Sequence, residues 1–337
     1  MLDKNRDRTN LVIMEKSHIL LAYKFDENNR AVSIDSESIS LELENDGLTW
    51  VHLDSTHPAT AFWLKEEVSY LDQIIFDALL ASEARPRLVE FDEGSLIILR
   101  GVNLNNNYRP EDMASIRLWI DDKRIISIQA RNVKAIYNVE NEIKSGKKVK
   151  TAGEFLTILC RELSECLEPF LEDLSDFTNE IEGKILDSHG ADLRVDTIKI
   201  RKQAIMFKRH IAPQRDVLDQ LVLCNQAWLN DLDRRHFHEG FNHLTRYVED
   251  LDEIRERSQI VHDELTNSIT ERVNKNMYVL SVIASVFLPL TFMTGLFGMN
   301  VGGIPGNVYE NAFCIITGFM VLIAGFQMFL FKKKKWF

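Results

Sequence analysis

The residues best suited to chemistry in this sequence form a stripe on one side of an uncharged helix near the C-terminus. Alternating steps of three and four residues stay on one face of an α-helix. Here they select Asn274, Met277, Ser281, Ala284, Leu288, Thr291, Gly295 and Gly298. This stripe is smaller and more polar than the opposite face, which carries Val279, Ile283, Val286 and Phe297. It suits either a packing seam between helices or, with copies gathered about an axis, the wall of a pore.

The stripe ends in the triplet Gly298, Met299 and Asn300. Repeated around an axis, Asn300 would present amide oxygens that accept hydrogen bonds from the water shell of an ion. Gly298 leaves room and lets the helix end in an unusual backbone conformation. An ordinary helix C-cap would explain a glycine at this position equally well. Met277 and Leu288 would form apolar constrictions in a pore, although packing alone explains both side chains equally well. We expect a metal ion to meet Asn300 through hydration water, with no cofactor.

Acidic residues continue the stripe toward the N-terminus. The same steps backward from Asn274 reach Thr270, Asn267, Asp263, Ile260, Glu256, Glu253 and Glu249. In a ring of copies these acids and amides would stack at the cytoplasmic end of a pore and concentrate cations there. Asp263 is the best candidate, followed by Glu256 and Glu253. The alternative interpretation is the solvated face of a stalk helix.

Two uncharged segments must position this stripe. The run from Val279 to Phe297 makes a helix of roughly 30 Å, the thickness of a bilayer's hydrocarbon core. We therefore predict a first transmembrane helix at 278–300, an external loop at 301–311, a second transmembrane helix at 312–331 and a basic tail at 332–337. Arg272 and Lys275 precede the hairpin and Lys332 to Lys335 follow it, whereas the loop carries only Glu310. These basic flanks predict that both termini are cytoplasmic.

Few polar groups lie inside these spans. Pro289 lacks an amide hydrogen and leaves the carbonyl of Ser285 without its usual partner, which predicts a local bend or a polar spot on the pore wall. Neither span contains Asp, Glu, Lys, Arg or His. Any coupling to protons must therefore use groups outside the bilayer core.

The residues before the hairpin predict an α/β domain followed by helices. Alternating or continuous apolar runs predict strands at 19–25, 49–53, 87–91, 96–102, 114–120 and 125–129. Helical periodicity predicts one helix at 60–81, and a mixed sheet with helices against it over 1–150. Residues 151–240 read as a helical region, with one long helix from 155 to about 186 and another from 193 to about 224 that Pro213 kinks. A stalk helix at 241–277 would enter the membrane without a break.

The charge of the chain excludes some classes of function. The chain has 337 residues, 40 basic and 51 acidic, with a formal net charge of −11. Without Lys275, Lys332 to Lys335 and Glu310, 35 basic and 50 acidic residues remain before the membrane. This balance argues against nucleic-acid binding. It favours a local excess of cations, or else an ordinary soluble acidic surface.

Motifs for catalysis and for direct metal binding are missing from the sequence. No GxxxxGK[ST] sequence occurs, so ATP-driven pumping is not expected from this chain, and no nucleophile and base pair stands out. We expect a protein that is not an enzyme. His236 and His238 are two residues apart, while His243 and His262 have no second histidine or cysteine at three or four residues. These histidines do not predict a zinc site.

Several motifs together resemble the CorA family of divalent-cation transporters. They are LPLTF at Leu288 to Phe292, the Gly298-Met299-Asn300 triplet, a short loop and a second span that ends in lysines. The loop GGIPG at Gly302 to Gly306, together with Ala212 to Asp216 and Arg85 to Arg87, resembles the ZntB branch, which is associated with zinc. Met299 departs from that branch and matches the magnesium and cobalt branch. The resemblance covers the whole chain.

The resemblance implies a homopentamer in the inner membrane that moves divalent cations through an axial pore. Zinc is the favoured cation, and magnesium, cobalt or nickel is the alternative. The expected partners are other copies of the chain, membrane lipid and the transported ions. A competing hypothesis from another class is a membrane-anchored oligomeric protein for sensing or interaction, without transport.

Overall fold

The computed structural model describes residues 17–68, 71–81, 85–104, 109–185, 191–299 and 310–333. It divides into two compact units, 1–262 and 263–337. Asn300 and the GGIPG loop lie outside the described residues.

A seven-stranded mixed sheet organises the first unit. Its strands are β1 (Ile19–Phe25), β2 (Ala31–Ser33), β3 (Thr49–Asp54), β4 (Arg87–Phe91), β5 (Gly94–Gly101), β6 (Ala114–Ile120) and β7 (Arg124–Gln129). The strand order is β2-β1-β3-β7-β6-β5-β4, with β3 parallel to β7 and every other pair antiparallel. All six strands expected from the sequence are present, and β3, β5, β6 and β7 are buried along nearly their whole length. The short edge strand β2 was not predicted.

Nine helices are described along the chain. They are α1 (Ile39–Glu44), α2 (Pro58–Glu67), α3 (Gln73–Leu80), α4 (Lys134–Lys144), α5 (Ala152–Glu165), α6 (Glu168–Ile185), α7 (Ala191–Leu223), α8 (Asp231–Phe297) and α9 (Ala312–Lys333). Residues of α1, α2 and α3 share a buried cluster with one face of the sheet, where Val51, Ile126 and Trp119 lie in register. Phe155 of α5 packs on the other face, 4.8 Å from Trp50 between ring centroids. The first unit is thus an α/β fold with helices on both faces of its sheet.

A buried polar cluster lies on the sheet face that carries Trp50. Trp50 Nε1 donates to Ser127 Oγ at 2.8 Å, and His52 Nδ1 lies 2.8 Å from the same oxygen. Burial lowers the pKa of His52 to about 4, and His52 is 1% exposed. The imidazole is therefore held neutral near pH 7, where it can share the Ser127 hydroxyl.

Two of the predicted helices are each broken in the structure. The helix expected from 155 to about 186 is wrong as one element, because α5 ends at Glu165 and α6 begins at Glu168. Pro169 disfavours the helical conformation at the residue before it and cannot donate a hydrogen bond to a preceding turn. The helix expected at 60–81 is also two helices, and Asp72 caps the second by accepting from the amide of Ile74 at 3.3 Å.

Ion pairs join the helices of the first unit. The basic face expected on α7 meets an acid on α8, where Lys208 Nζ lies 2.5 Å from Asp252 Oδ2. Arg257 of α8 bonds both carboxylate oxygens of Glu182 on α6, at 2.8 and 2.5 Å. Helix α7 continues through Pro213, as expected for one helix.

The second unit contains the C-terminal part of α8 and the whole of α9. Helix α8 runs without interruption through Pro289 to Phe297, and α9 ends among lysines. Both helices are long and apolar enough to cross a membrane, with mean hydropathies of 2.0 and 2.2 over their most apolar segments.

Candidate functional site

The predicted stripe lies on α8 in the second unit. Its residues from Asn274 to Gly298 are all exposed in the single chain, and the large ones are among the most exposed, with Met277 at 62% and Leu288 at 74%. A Cβ added at Gly295 would meet no atom within 4 Å. Nothing among the described residues of this unit covers the stripe.

The opposite side of α8 is the less exposed one. Val282 is buried, and Val286, Pro289 and Met293 are half-buried. At 3.6 residues per turn these positions lie about half a turn away from the stripe. The face with small and polar residues is therefore the one left free for lipid or for another copy of the chain.

A glutamine of the second span satisfies the carbonyl that proline leaves open. Gln327 Nε2 on α9 donates to the backbone oxygen of Ser285 at 3.3 Å. In the single chain a side chain from α9 therefore bonds this oxygen. The local bend or polar spot on a pore wall stays a prediction. Sequence reasoning missed Gln327. The available signal was a lone carboxamide in an otherwise apolar span, facing a carbonyl that Pro289 had freed.

Close packing of the backbone explains Gly298 at the end of α8. Its amide donates to the oxygen of Thr294 at 2.9 Å, and a Cβ on Gly298 would lie only 2.8 Å from that oxygen. Among the described glycines only Gly146 has a positive φ, so the unusual backbone conformation expected at Gly298 is not observed. Space, rather than a left-handed backbone, requires glycine here. Met299 follows and is 48% exposed.

Arginines lie near Glu253 and Glu256, which are among the acids expected to attract cations. In the first unit, Glu253 Oε1 lies 3.5 Å from Arg257, and Glu256 Oε1 lies 3.9 Å from Arg255. Both carboxylates are exposed and both arginines are half-buried, so solvent weakens the two ion pairs. Asp263 lies at the first position of the second unit.

Within the described ranges, no group of three or more His, Cys, Asp or Glu side chains could hold a metal ion. His238 shares a hydrogen bond with Asn242 at 3.3 Å, and His243 packs on Tyr247 with ring centroids 4.6 Å apart. The chemistry offered by the described stripe is thus that of hydroxyl, amide and small apolar groups, which suits an ion that keeps its water.

Comparison with known proteins gives consistent matches along the chain. The family model described as "CorA-like Mg2+ transporter protein" matches residues 45–333. The zinc transport protein ZntB of Yersinia enterocolitica is 35% identical over 326 residues, which cover 96% of this chain and 97% of that protein. The divalent cation transporter CmaX of Pseudomonas aeruginosa is 34% identical over 298 residues, 88% of this chain and 90% of that protein.

Solved structures share the fold. The full-length CmaX structure superposes with a TM-score of 0.82 at 32% identity, covering 94% of this chain and 98% of that one. The CorA magnesium transporter of Methanocaldococcus jannaschii gives 0.79 at 19% identity, covering 94% and 99%. The expected fold, an α/β domain followed by a long helix and two C-terminal apolar helices, is confirmed.

Proposed function

The chain belongs to the CorA family of divalent-cation transporters, and we propose that its cargo is zinc, moved through the axis of a homopentamer. The resemblance seen in the Gly298-Met299-Asn300 triplet and the second span is thereby confirmed at the level of the family. Transport of divalent cations across a membrane follows from that membership, and relatives of this kind are named as transporters rather than enzymes.

The uncovered stripe of α8 carries the proposal of an axial pore. Its small and polar residues are exposed, while the side of α8 marked by Val282 and Met293 is less exposed. Copies arranged with the stripes inward would hide these polar groups from lipid and enclose water. Asn300 would then stand at the outer mouth, and Asp263, Glu256 and Glu253 would raise the cation concentration at the inner one.

Zinc is favoured because the similar curated relatives from Yersinia are named zinc transport proteins, at 34–35% identity over 96% of this chain. Magnesium, cobalt or nickel is the second candidate, favoured by Met299 and by a family model described by magnesium. The basic flanks support cytoplasmic positions for both termini. The resemblance to the family supports the inner membrane as the location. Proton coupling, if present, acts through groups outside the spans.

The test is cation uptake into proteoliposomes with the purified protein. Zinc and magnesium uptake are measured with and without a proton gradient, and native mass spectrometry counts the copies per assembly. We expect saturable zinc uptake by pentamers. Asn300→Ala should abolish the flux and leave the pentamer intact, because only the contact with hydration water is lost. If neither ion moves, a membrane-anchored sensing protein becomes the better account.

A further inference from the structure

Helix α7 carries a row of exposed aliphatic side chains on its outer side. Val195, Ile198 and Ile205 are 66%, 51% and 45% exposed. Steps of three and four residues join them through Lys202, so all four lie on one side of the helix. We call them the α7 row. A surface helix normally has one apolar side, which faces the core, and an aligned second one indicates a packing surface.

The charge around the α7 row is strongly positive. From 194 to 209 the sequence has six bases and one acid, Asp196. The bases are Arg194, Lys199, Arg201, Lys202, Lys208 and Arg209. The whole chain has a net charge of −11, so this segment differs from the rest of the molecule. A partner that covers the row must therefore offer apolar surface together with negative charge.

A groove of about 270 Å³ between α6 and α7 offers apolar surface of this kind. Phe170, Leu174 and Phe177 of α6 and Phe207 of α7 line it. Phe207 and Leu174 are buried and form its floor, whereas Phe170 and Phe177 are half-buried and keep part of their rings open to solvent. Aromatic rings that are only partly covered are typical of sites where a protein partner packs.

The helix that supplies most of this groove is acidic. From 168 to 182 the sequence of α6 has six acids and no base. The acids are Glu168, Glu172, Asp173, Asp176, Glu180 and Glu182. Asp173 lines the groove and is exposed, as is Asp176. Lys199 of the same copy lies 6.0 Å from the Phe177 ring centroid and offsets part of this charge. The groove still has an excess of negative charge where the α7 row has an excess of positive charge.

The spacing of the two surfaces also agrees. Ile198 and Ile205 are seven residues apart, as are Phe170 and Phe177. Seven residues make two helical turns, about 10 Å, and side chains at this spacing on two helices can interdigitate. The α7 row lies about half a turn away from Phe207, so it cannot enter the groove of its own copy.

We propose that the α7 row of one copy packs into this groove of the next copy. Ile198 and Ile205 then contact Phe170 and Phe177, and the ammonium of Lys202 meets the acids of α6. The two surfaces are different, so the contact is heterologous, and repeating it by a rotation closes a ring. The inference rests on the proposed ring of copies and does not depend on its cargo. It adds a contact between first units, apart from the stripe on α8.

Photo-crosslinking of the full-length protein in detergent tests this contact. In a Cys314→Ser background, which removes the exposed native thiol, Ile198→Cys is labelled with a benzophenone maleimide. We expect illumination to give covalent dimers and larger species, with the label attached to the 168–185 segment of a second copy. Leu223→Cys is the matched control, because Leu223 is 79% exposed on α7 and lies outside the row. Its label should not attach to α6.

A change of charge in the row should weaken the contact. Lys202→Glu should lower the yield of the Ile198→Cys crosslink several-fold, since it places an acid against the acids of α6. Lys148→Glu makes the same change at an exposed position outside the row and should leave the yield unchanged. Equal yields in both variants would overturn the proposal.

Native mass spectrometry of the unlabelled protein separates this inference from the proposed pentamer. Pentamers whose label reaches another segment, or reaches only lipid and detergent, would overturn the packing of the row and leave the pentamer standing. Monomers alone would overturn both.

Discussion

The two units of this chain differ in how far one copy of the chain buries their side chains. In the first unit the sheet is covered on both faces, and the buried Trp50 and Ser127 bond to each other inside. In the second, 6% of the most apolar segment of α8 is buried and none of that of α9. One copy of the chain therefore buries the core of the first unit, whereas the apolar helices of the second unit are left almost uncovered within one copy.

Acid should destabilise the first unit through protonation of His52. This is the largest change in stability that we expect. Its folded pKa of about 4 lies below the ordinary value of about 6.5, so the unfolded chain binds more protons between these pH values. Stability is then complete above pH 6.5 and falls as the pH drops toward 4. The loss is on the order of 3 kcal/mol. Thermal unfolding of the purified protein across this window measures it.

His52→Gln should flatten this dependence of the unfolding temperature on pH. His243→Gln, at a half-buried position of α8, is the control and should keep the slope of the wild type. Equal slopes in both variants would mean that another group senses the acid.

Replacing a glycine by alanine should change the stability of the two units differently. A Cβ at Gly94 would lie 2.6 Å from the Ile120 oxygen and 2.8 Å from the Trp119 ring, and a backbone oxygen in a sheet cannot move aside. Gly94→Ala should therefore destabilise the first unit by about 2 kcal/mol. Gly325→Ala on α9 meets nothing within 4 Å in one chain and should leave the unfolding temperature unchanged. Urea or thermal unfolding compares the two variants, and an equally stable Gly94→Ala would show that the first unit is looser than described.

The hydrogen bond from Gln327 of α9 to the Ser285 carbonyl of α8 should stabilise the second unit only while Pro289 is present. Gln327→Leu should destabilise the second unit by about 1 kcal/mol, because the Ser285 oxygen loses its donor. The effect is small since Gln327 Oε1 has no partner among the described residues, and leucine removes that unpaired oxygen. Unfolding in sodium dodecyl sulfate measures the difference.

Pro289→Ala supplies the matched background. It restores an amide that can bond the Ser285 carbonyl, so Gln327→Leu should then cost little. The same cost in both backgrounds would show that Gln327 acts through packing rather than through this hydrogen bond.

The sequence was informative wherever a pattern repeats along the chain. Alternation found the strands from Ile19 to Gln129, and absence of charge found both apolar helices, because each pattern reflects burial along a whole element. The break between α5 and α6 was missed, since apolar spacing continues across Cys166 and Leu167. Pro169 was the overlooked signal.

Contacts between residues that are far apart in the sequence could not be predicted from local patterns. Gln327 and Ser285 are 42 residues apart. The stripe on α8 was predictable because it depends on helix geometry alone. Whether it lines a pore depends on how several copies of the chain are arranged, which the sequence does not determine.

Thiol accessibility during zinc uptake tests the axial pore most directly. In a Cys314→Ser background, which removes the exposed native thiol, Thr291→Cys and Met293→Cys place one thiol on the stripe and one about half a turn away. If the stripe walls the pathway, a charged methanethiosulfonate reagent should lower zinc flux several-fold in Thr291→Cys and leave Met293→Cys unaffected. Inhibition of Met293→Cys alone, or of both variants equally, would contradict the account.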